Sequence, residues 1–215
     1  MPNNEPVVKL RGIKRIYYKQ DGSILVEALC GIDLDIPDGQ SIAIMGVSGS
    51  GKSTLMNILG CLDRPTEGSY LLGGNDVATL DDKTLSSIRG RQIGFVFQSF
   101  NLIPQLTVLE NVEVPLYYQR VDPAERRART LEMLELVGLS DRISHRPSEL
   151  SGGQQQRASI ARALVTKPSI LLADEPTGNL DSKTGGDVLA LFADLHADGL
   201  TTIIVTHDSQ IGGQY

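Results

Sequence analysis

Cysteine is scarce in this chain: Cys30 and Cys61 are the only two in 215 residues. Their spacing fits neither a zinc site nor a redox pair, and two thiols are too few for a disulfide framework. Both are expected to be reduced packing residues of a cytosolic protein. Long apolar runs are missing as well. No stretch approaches the roughly 20 apolar residues of a membrane span, so spans needed at a membrane are expected from another chain. The opening residues, MPNNEPVVKLRG, have no apolar segment of signal-peptide type, and no leader is expected. Positive charge is not in excess, with 20 Lys and Arg against 26 Asp and Glu and a formal net charge of −6. Phosphate backbones reward clustered basic residues, so a nucleic-acid partner is not expected. A local basic site for a small phosphate ligand remains open. Internal repeats and low-complexity segments are absent too.

What is present reads as one soluble α/β unit, with hydrophobic residues at 40% and charged residues at 21%. Apolar stretches alternate with helical patterns, which predicts a mostly parallel sheet. Strands are expected at 7–18 and 25–36, the second ending at the turn Pro37-Asp38-Gly39. Further strands are expected at 41–46, 91–98, 169–174 and 201–208. Helices are expected at 51–62, 107–119, 123–137, 151–166 and 182–197. Pro123 suits a first helical turn and Gly138 the position just past a helix end. Residues 1–98 and 166–215 then form an α/β core, and 99–165 a mainly helical lobe set into it.

The run Gly46-Val47-Ser48-Gly49-Ser50-Gly51-Lys52-Ser53 fits G-x-x-x-x-G-K-[ST] between a predicted strand and a predicted helix, the context that marks a P-loop. Glycines let backbone N–H groups close around phosphate oxygens. The helix N-terminus adds about half a positive charge. Lys52 is placed to reach the β and γ phosphates, the Ser53 hydroxyl to ligate Mg²⁺, and Thr54 to extend the anion site.

Two other strands end in polar groups. Ile170-Leu171-Leu172-Ala173 runs into Asp174-Glu175, at a carboxyl end where α/β sheets bind ligands. Asp174 is the candidate to hold Mg²⁺, and Glu175 to orient and deprotonate an attacking water. His207 ends the strand Ile203-Ile204-Val205-Thr206 and is placed to contact the γ-phosphate and hold that water. Strand-end carboxylates and histidines are usually just solvated; these gain meaning beside the P-loop.

Leu150-Ser151-Gly152-Gly153-Gln154, followed by Gln155-Gln156-Arg157, resembles the signature of the ABC ATPase family, and the other family elements follow in order. Tyr17 matches the aromatic that stacks on adenine, with Tyr18 as the alternative. Gln98 in FVFQ matches the Q-loop glutamine, a catalytic and Mg²⁺-side residue. Pro168 matches the proline before the acidic strand, Asn179-Leu180-Asp181 resembles the D-loop, and His207 the switch histidine. The resemblance covers nearly the whole chain. It implies a RecA-like core with an N-terminal antiparallel β part and an inserted helical subdomain. It implies ATP and Mg²⁺ as ligands and a head-to-tail pair of domains. In that pair ATP lies between one P-loop and the other domain's Ser151, Gly152, Gly153 and Gln154, with Asp181 nearby. The implied partners are a second ATPase subunit, expected to be a copy of this chain, and an integral membrane permease. The implied location is the cytoplasmic face of the inner or plasma membrane, held peripherally. Residues 99–119, with Phe100, Leu102, Ile103 and Leu106, are where such domains receive a coupling helix of the membrane subunit; each is as well explained as a core residue of the lobe.

Local wording narrows the resemblance. LMNILGCLDRPTEGSY, NVEVPLYYQ and ADEPTGNLDSKTG are similar to the MacB/LolD group of efflux and lipoprotein-releasing ATPases, with the cell-division ATPase as a neighbour. Soluble ABC ATPases of DNA repair or translation are the competing reading; they bring a long coiled coil, zinc cysteines or a second P-loop, none of which is seen. A guanine-reading N-K-x-D is also missing, against a GTPase or a kinase. The sequence departs from the family at Gln210-Ile211-Gly212-Gly213-Gln214-Tyr215, where members continue with further strands. A truncation or an unusual ending is expected there.

Overall fold

The computed structural model describes residues 6–207 and 212–213. Residues 1–5, where no leader is expected from sequence, Asp208 of the expected last strand, and four of the six residues 210–215 lie outside the described residues. Two sheets carry the fold. The first is antiparallel and built from β1 (Pro6–Tyr18), β2 (Ile24–Pro37), β4 (Glu67–Leu72) and β5 (Asn75–Asp76), in the order β2-β1-β4-β5. The second is parallel, with β3 (Ser41–Ile44), β6 (Ile93–Phe97), β7 (Ile170–Asp174) and β8 (Thr201–Val205) in the order β3-β8-β7-β6. The helices are α1 (Lys52–Leu59), α2 (Asp82–Gln92), α3 (Val108–Tyr118), α4 (Pro123–Leu136), α5 (Gly152–Leu164) and α6 (Ser182–Ala197).

The parallel strands are short and apolar, and the two central ones, β7 and β8, are buried on both faces, as crossover connections require. Their side chains alternate between two cores. Ile170, Leu172, Ile203 and Val205 face the antiparallel sheet and α1. Leu171, Ala173 and Ile204 face the helical lobe and α6. Each fully buried Leu or Ile contributes about 1.5–3 kcal/mol, so β7 with Ile170 to Ala173 all at 0% exposure is the anchor of the sheet. The functional strand ends are therefore held by the most deeply buried part of the chain.

Local chemistry sets the helix starts. Asp81, Thr107, Asp122, Ser151 and Asp181 each accept a backbone N–H at the first turn of α2, α3, α4, α5 and α6, which satisfies donors that have no intrahelical partner. Thr107 with Glu110, and Ser151 with Gln154, complete reciprocal capping boxes. The expected strands and helices are present with ends shifted by at most three residues. Four elements were not expected from sequence: β4, β5, α2 and a short 3-10 turn at Pro147–Glu149. Helix α2 escapes the periodicity test because it buries only Leu85. Between 99 and 165 lie α3, α4 and α5, which share one core with the far face of the parallel sheet.

Candidate functional site

Helix α1 differs from the other five in starting without a side-chain cap; its N-cap is Gly51, at φ +91°. Its first-turn N–H groups are left for a ligand, which is the arrangement of an anion site. The loop before it, residues 46–50, is exposed. Lys52 folds back over the loop, and its Nζ donates to Gly46 O at 2.6 Å and Val47 O at 2.9 Å. A Cβ at Gly51 would come to 2.5 Å from Ala28 O, so only glycine lets the loop pass under β2. The result is an open cleft of about 790 Å³ lined by Gly46 to Thr54, by Val26, Glu27, Ala28 and Cys30 of β2, and by Asp174, Glu175, Val205 and His207. That size suits a small ligand such as a nucleotide.

The acidic strand end meets the P-loop inside this cleft. Asp174 has its carboxyl pKa raised, first by burial, then by the neighbouring Glu175 charge, with Lys52 pulling the other way. Glu175 leaves the strand in a left-handed backbone conformation, φ +44°, which costs a non-glycine residue on the order of 1 kcal/mol or more. Its N–H donates to Val205 O at 2.8 Å, tying the strained residue to β8. His207 Nδ1 sits 2.7 Å from Glu175 Oε1. With the carboxylate ionised, Nδ1 carries the proton and Nε2 is free to accept. Among the described residues Glu175 Oε2 has no such partner, and it is available to a water.

Other sequence candidates stand apart. The signature residues Ser151, Gly152, Gly153 and Gln154 open α5 and do not line the cleft. They are backed by the D-loop: a Cβ at Gly152 would lie 3.3 Å from Leu180, and one at Gly153 would strike Thr184. Asp181 accepts from Thr184 N–H at 3.1 Å and from its hydroxyl at 2.7 Å, so it caps α6. The Thr184 side chain lowers its pKa. Tyr17 pairs with the cleft-lining Val26 but is not itself in the lining; its hydroxyl donates to Asp63 at 3.0 Å, and the Arg15 guanidinium lies 4.5 Å from the ring centroid. Tyr18 is 54% exposed. Gln98 does not line the cleft either and bonds Asn179.

Comparison with known proteins then decides the family. The family model described as ABC transporter matches residues 29–178. An ABC transporter ATP-binding protein of Thermotoga maritima is 54% identical over 205 residues, 95% of this chain and 87% of that protein. The macrolide export ATP-binding/permease protein MacB of Brucella melitensis is 55% identical over 206 residues, 96% of this chain and 32% of its own length. The dimeric ATP-binding cassette MJ0796, in a post-hydrolysis state with ADP and Pi, aligns with a TM-score of 0.85 at 48% identity, covering 95% of this chain and 90% of that one.

The chain belongs to the ABC transporter family.

As a member it binds and hydrolyses ATP, and its fold is the ABC cassette: RecA-like core, antiparallel β part and helical subdomain. The chain spans about a third of the length of the MacB relatives it matches. The cleft also fits the magnesium such ATPases use. Ser53 and Asp174 offer hard oxygen donors there, and no group of three or more His, Cys, Asp or Glu suited to a metal occurs among the described residues. A protein site that supplies one or two oxygens and leaves the rest to phosphates and water is the arrangement Mg²⁺ favours.

A second groove, about 390 Å³, lies between the ABC core and the helical lobe and is lined by Arg89, Phe95, Phe97, Asn101, Pro115 and Arg162 among others. Of the sequence candidates for a coupling helix, Leu102 packs against the lobe core and Ile103 is 39% exposed. Sequence reading missed Arg89 and Arg162 in this groove; Arg162, on α5, meets the carbonyls of Phe100 and Asn101 only in the fold.

Proposed function

We propose that this cassette works as a head-to-tail homodimer at the cytoplasmic face of a membrane, where it drives an integral permease on a separate chain. The observation that carries the reading is the split site. An uncapped, phosphate-ready helix start at Gly51 and a signature helix start at Ser151 lie on different parts of the surface, and the cleft is lined by only one of them. A nucleotide that contacts both needs a second copy. The dimeric form of the MJ0796 cassette supports this arrangement. The 87% coverage of the Thermotoga maritima relative supports a permease carried on another chain. The names of the MacB relatives support export. No helix of the described residues is long and apolar enough to cross a membrane. The Arg89–Arg162 groove, which Asn101 also lines, is where the permease would dock.

In the mechanism, P-loop N–H groups and Lys52 hold the phosphates while Val26 and Ala28 wall the cleft. Ser53 and Asp174 would hold Mg²⁺, which supplies charge neutralisation between the phosphates. Glu175 Oε2 takes the proton of the attacking water, and His207 fixes the carboxylate through Oε1. ATP binds the closed pair better than its products do, and that difference is what does work on the permease.

Subunit mixing tests the composite site. Lys52→Ala and Ser151→Arg each place a defect in both sites of their homodimers. A mixed dimer regains one intact site, so mixing the two inactive proteins restores ATPase activity. If the mixture stays as inactive as its components, the shared-site reading is wrong.

A further inference from the structure

Gln98 is gripped rather than free. Its backbone O accepts from Asn179 Nδ2 at 2.9 Å, and its own Nε2 donates to Asn179 Oδ1 at 3.4 Å. A Cβ at Gly178 would lie 2.6 Å from Gln98 Nε2, so the D-loop closes directly over the amide. The segment that follows is held from the other side. Arg162 of α5 donates to Phe100 O at 2.9 Å and Asn101 O at 2.6 Å, where both residues have positive φ. The buried Asn111 of α3 exchanges bonds with Ile103 N–H and O. The loop is thus fixed to the helical lobe by strong contacts, one of them charge-assisted. The Gln98 side chain itself is tied to the core by a single long bond to an exposed residue.

We propose that Asn179 is a positioning residue that keeps Gln98 out of the nucleotide cleft until the cassette closes. This rests on the reading of Gln98 as a magnesium-side residue. The contact has the strength of a releasable latch. The 3.4 Å bond is at the long limit of hydrogen bonding, while the anchors at Phe100, Asn101 and Ile103 move with the lobe. When α5 shifts as a body, Arg162 carries the loop with it and the Gln98 amide must slip its partner. A latch that competes with the bound state lowers apparent affinity by the fraction of molecules released. Removing it therefore tightens magnesium binding.

The test is a calorimetric titration of Mg²⁺ into the ATP-loaded Glu175→Gln protein, with Asn179→Ala, Gln98→Ala and both together. Asn179→Ala lowers half-saturating Mg²⁺ by about two- to tenfold, the scale of one or two net hydrogen bonds. ATP affinity without Mg²⁺ stays unchanged, which a general loosening of the fold would not allow. In the Gln98→Ala background the same substitution shifts nothing. An unchanged or raised half-saturation, or an equal shift in the Gln98→Ala background, overturns the latch. A Gln98→Ala protein with unaltered Mg²⁺ affinity instead removes the magnesium-side role of Gln98. Asn179 is exposed; should its alanine variant fail to fold, Asn179→Leu keeps the shape, lacks both bonds and carries the same expectation.

Discussion

His207 Nδ1 approaches Glu175 Oε1 to 2.7 Å across 32 residues of sequence, joining the ends of two neighbouring parallel strands. The pairing comes from the sheet: Asp174 is in register with Val205, so the residues just past each strand end emerge side by side. A base whose one oxygen is engaged presents the other in a fixed direction.

Glu175→Gln keeps the His207 contact geometry but loses the basic oxygen. Turnover falls by about 10² to 10⁴, the range of a general base, while ATP affinity holds. His207→Ala loses orientation alone and costs about 10- to 100-fold. Single-turnover hydrolysis with separate nucleotide titrations checks both. Glu175→Gln turning over at the wild-type rate contradicts the assignment.

Gly51→Ala places a methyl against Ala28 O and forces a non-glycine residue to φ +91°. The strain costs about 1–3 kcal/mol and moves the first N–H groups of α1. ATP binding weakens more than tenfold, and the melting temperature of the nucleotide-free protein drops. A variant with native affinity would mean that the N-terminus of α1 does not bind phosphate.

Asp174 gives a pH dependence with a definite sign. Its folded pKa lies above the ordinary 3.8 because burial and Glu175 disfavour the charge. Stability from this group is complete below the unfolded value and is lost as pH rises through the folded one. Asp174→Asn therefore raises the nucleotide-free melting temperature at neutral pH, and the gain vanishes below pH 3.8. Thermal scans across that range decide it; a gain that does not change with pH contradicts the burial argument.

Arg162→Met keeps the apolar stem but leaves the carbonyls of Phe100 and Asn101 without their donor. Burial already lowers the Arg162 pKa, so the guanidinium is retained there for those bonds. The loss is about 2 kcal/mol, read as a shift in the urea midpoint. No shift would mean that the loop after Gln98 is held by other contacts.

Much of this was legible in the sequence because it is local. The P-loop spacing, the apolar run ending at Asp174-Glu175 and the Ser151-Gly152-Gly153-Gln154 run span a few residues each. Helix α2 was missed because one buried leucine leaves no periodicity, and β4 because its pairing is with distant β1, from Val8 with Leu72 to Lys14 with Glu67. The bond of Tyr17 to Asp63, the grip of Arg162 on the Q-loop and the Asn179–Gln98 pair join residues 46 to 81 apart. No one-dimensional pattern encodes such contacts; the last two follow from how α5 and the D-loop pack beside β6 and the loop after it.

The most direct test of the split-site account is light scattering on Glu175→Gln during size-exclusion chromatography, with and without ATP. The account predicts a monomer that becomes a dimer when ATP is added, and that Ser151→Arg in the same protein abolishes the dimer while leaving ATP binding intact. A protein that binds ATP and remains monomeric, or a dimer indifferent to Ser151→Arg, would contradict it.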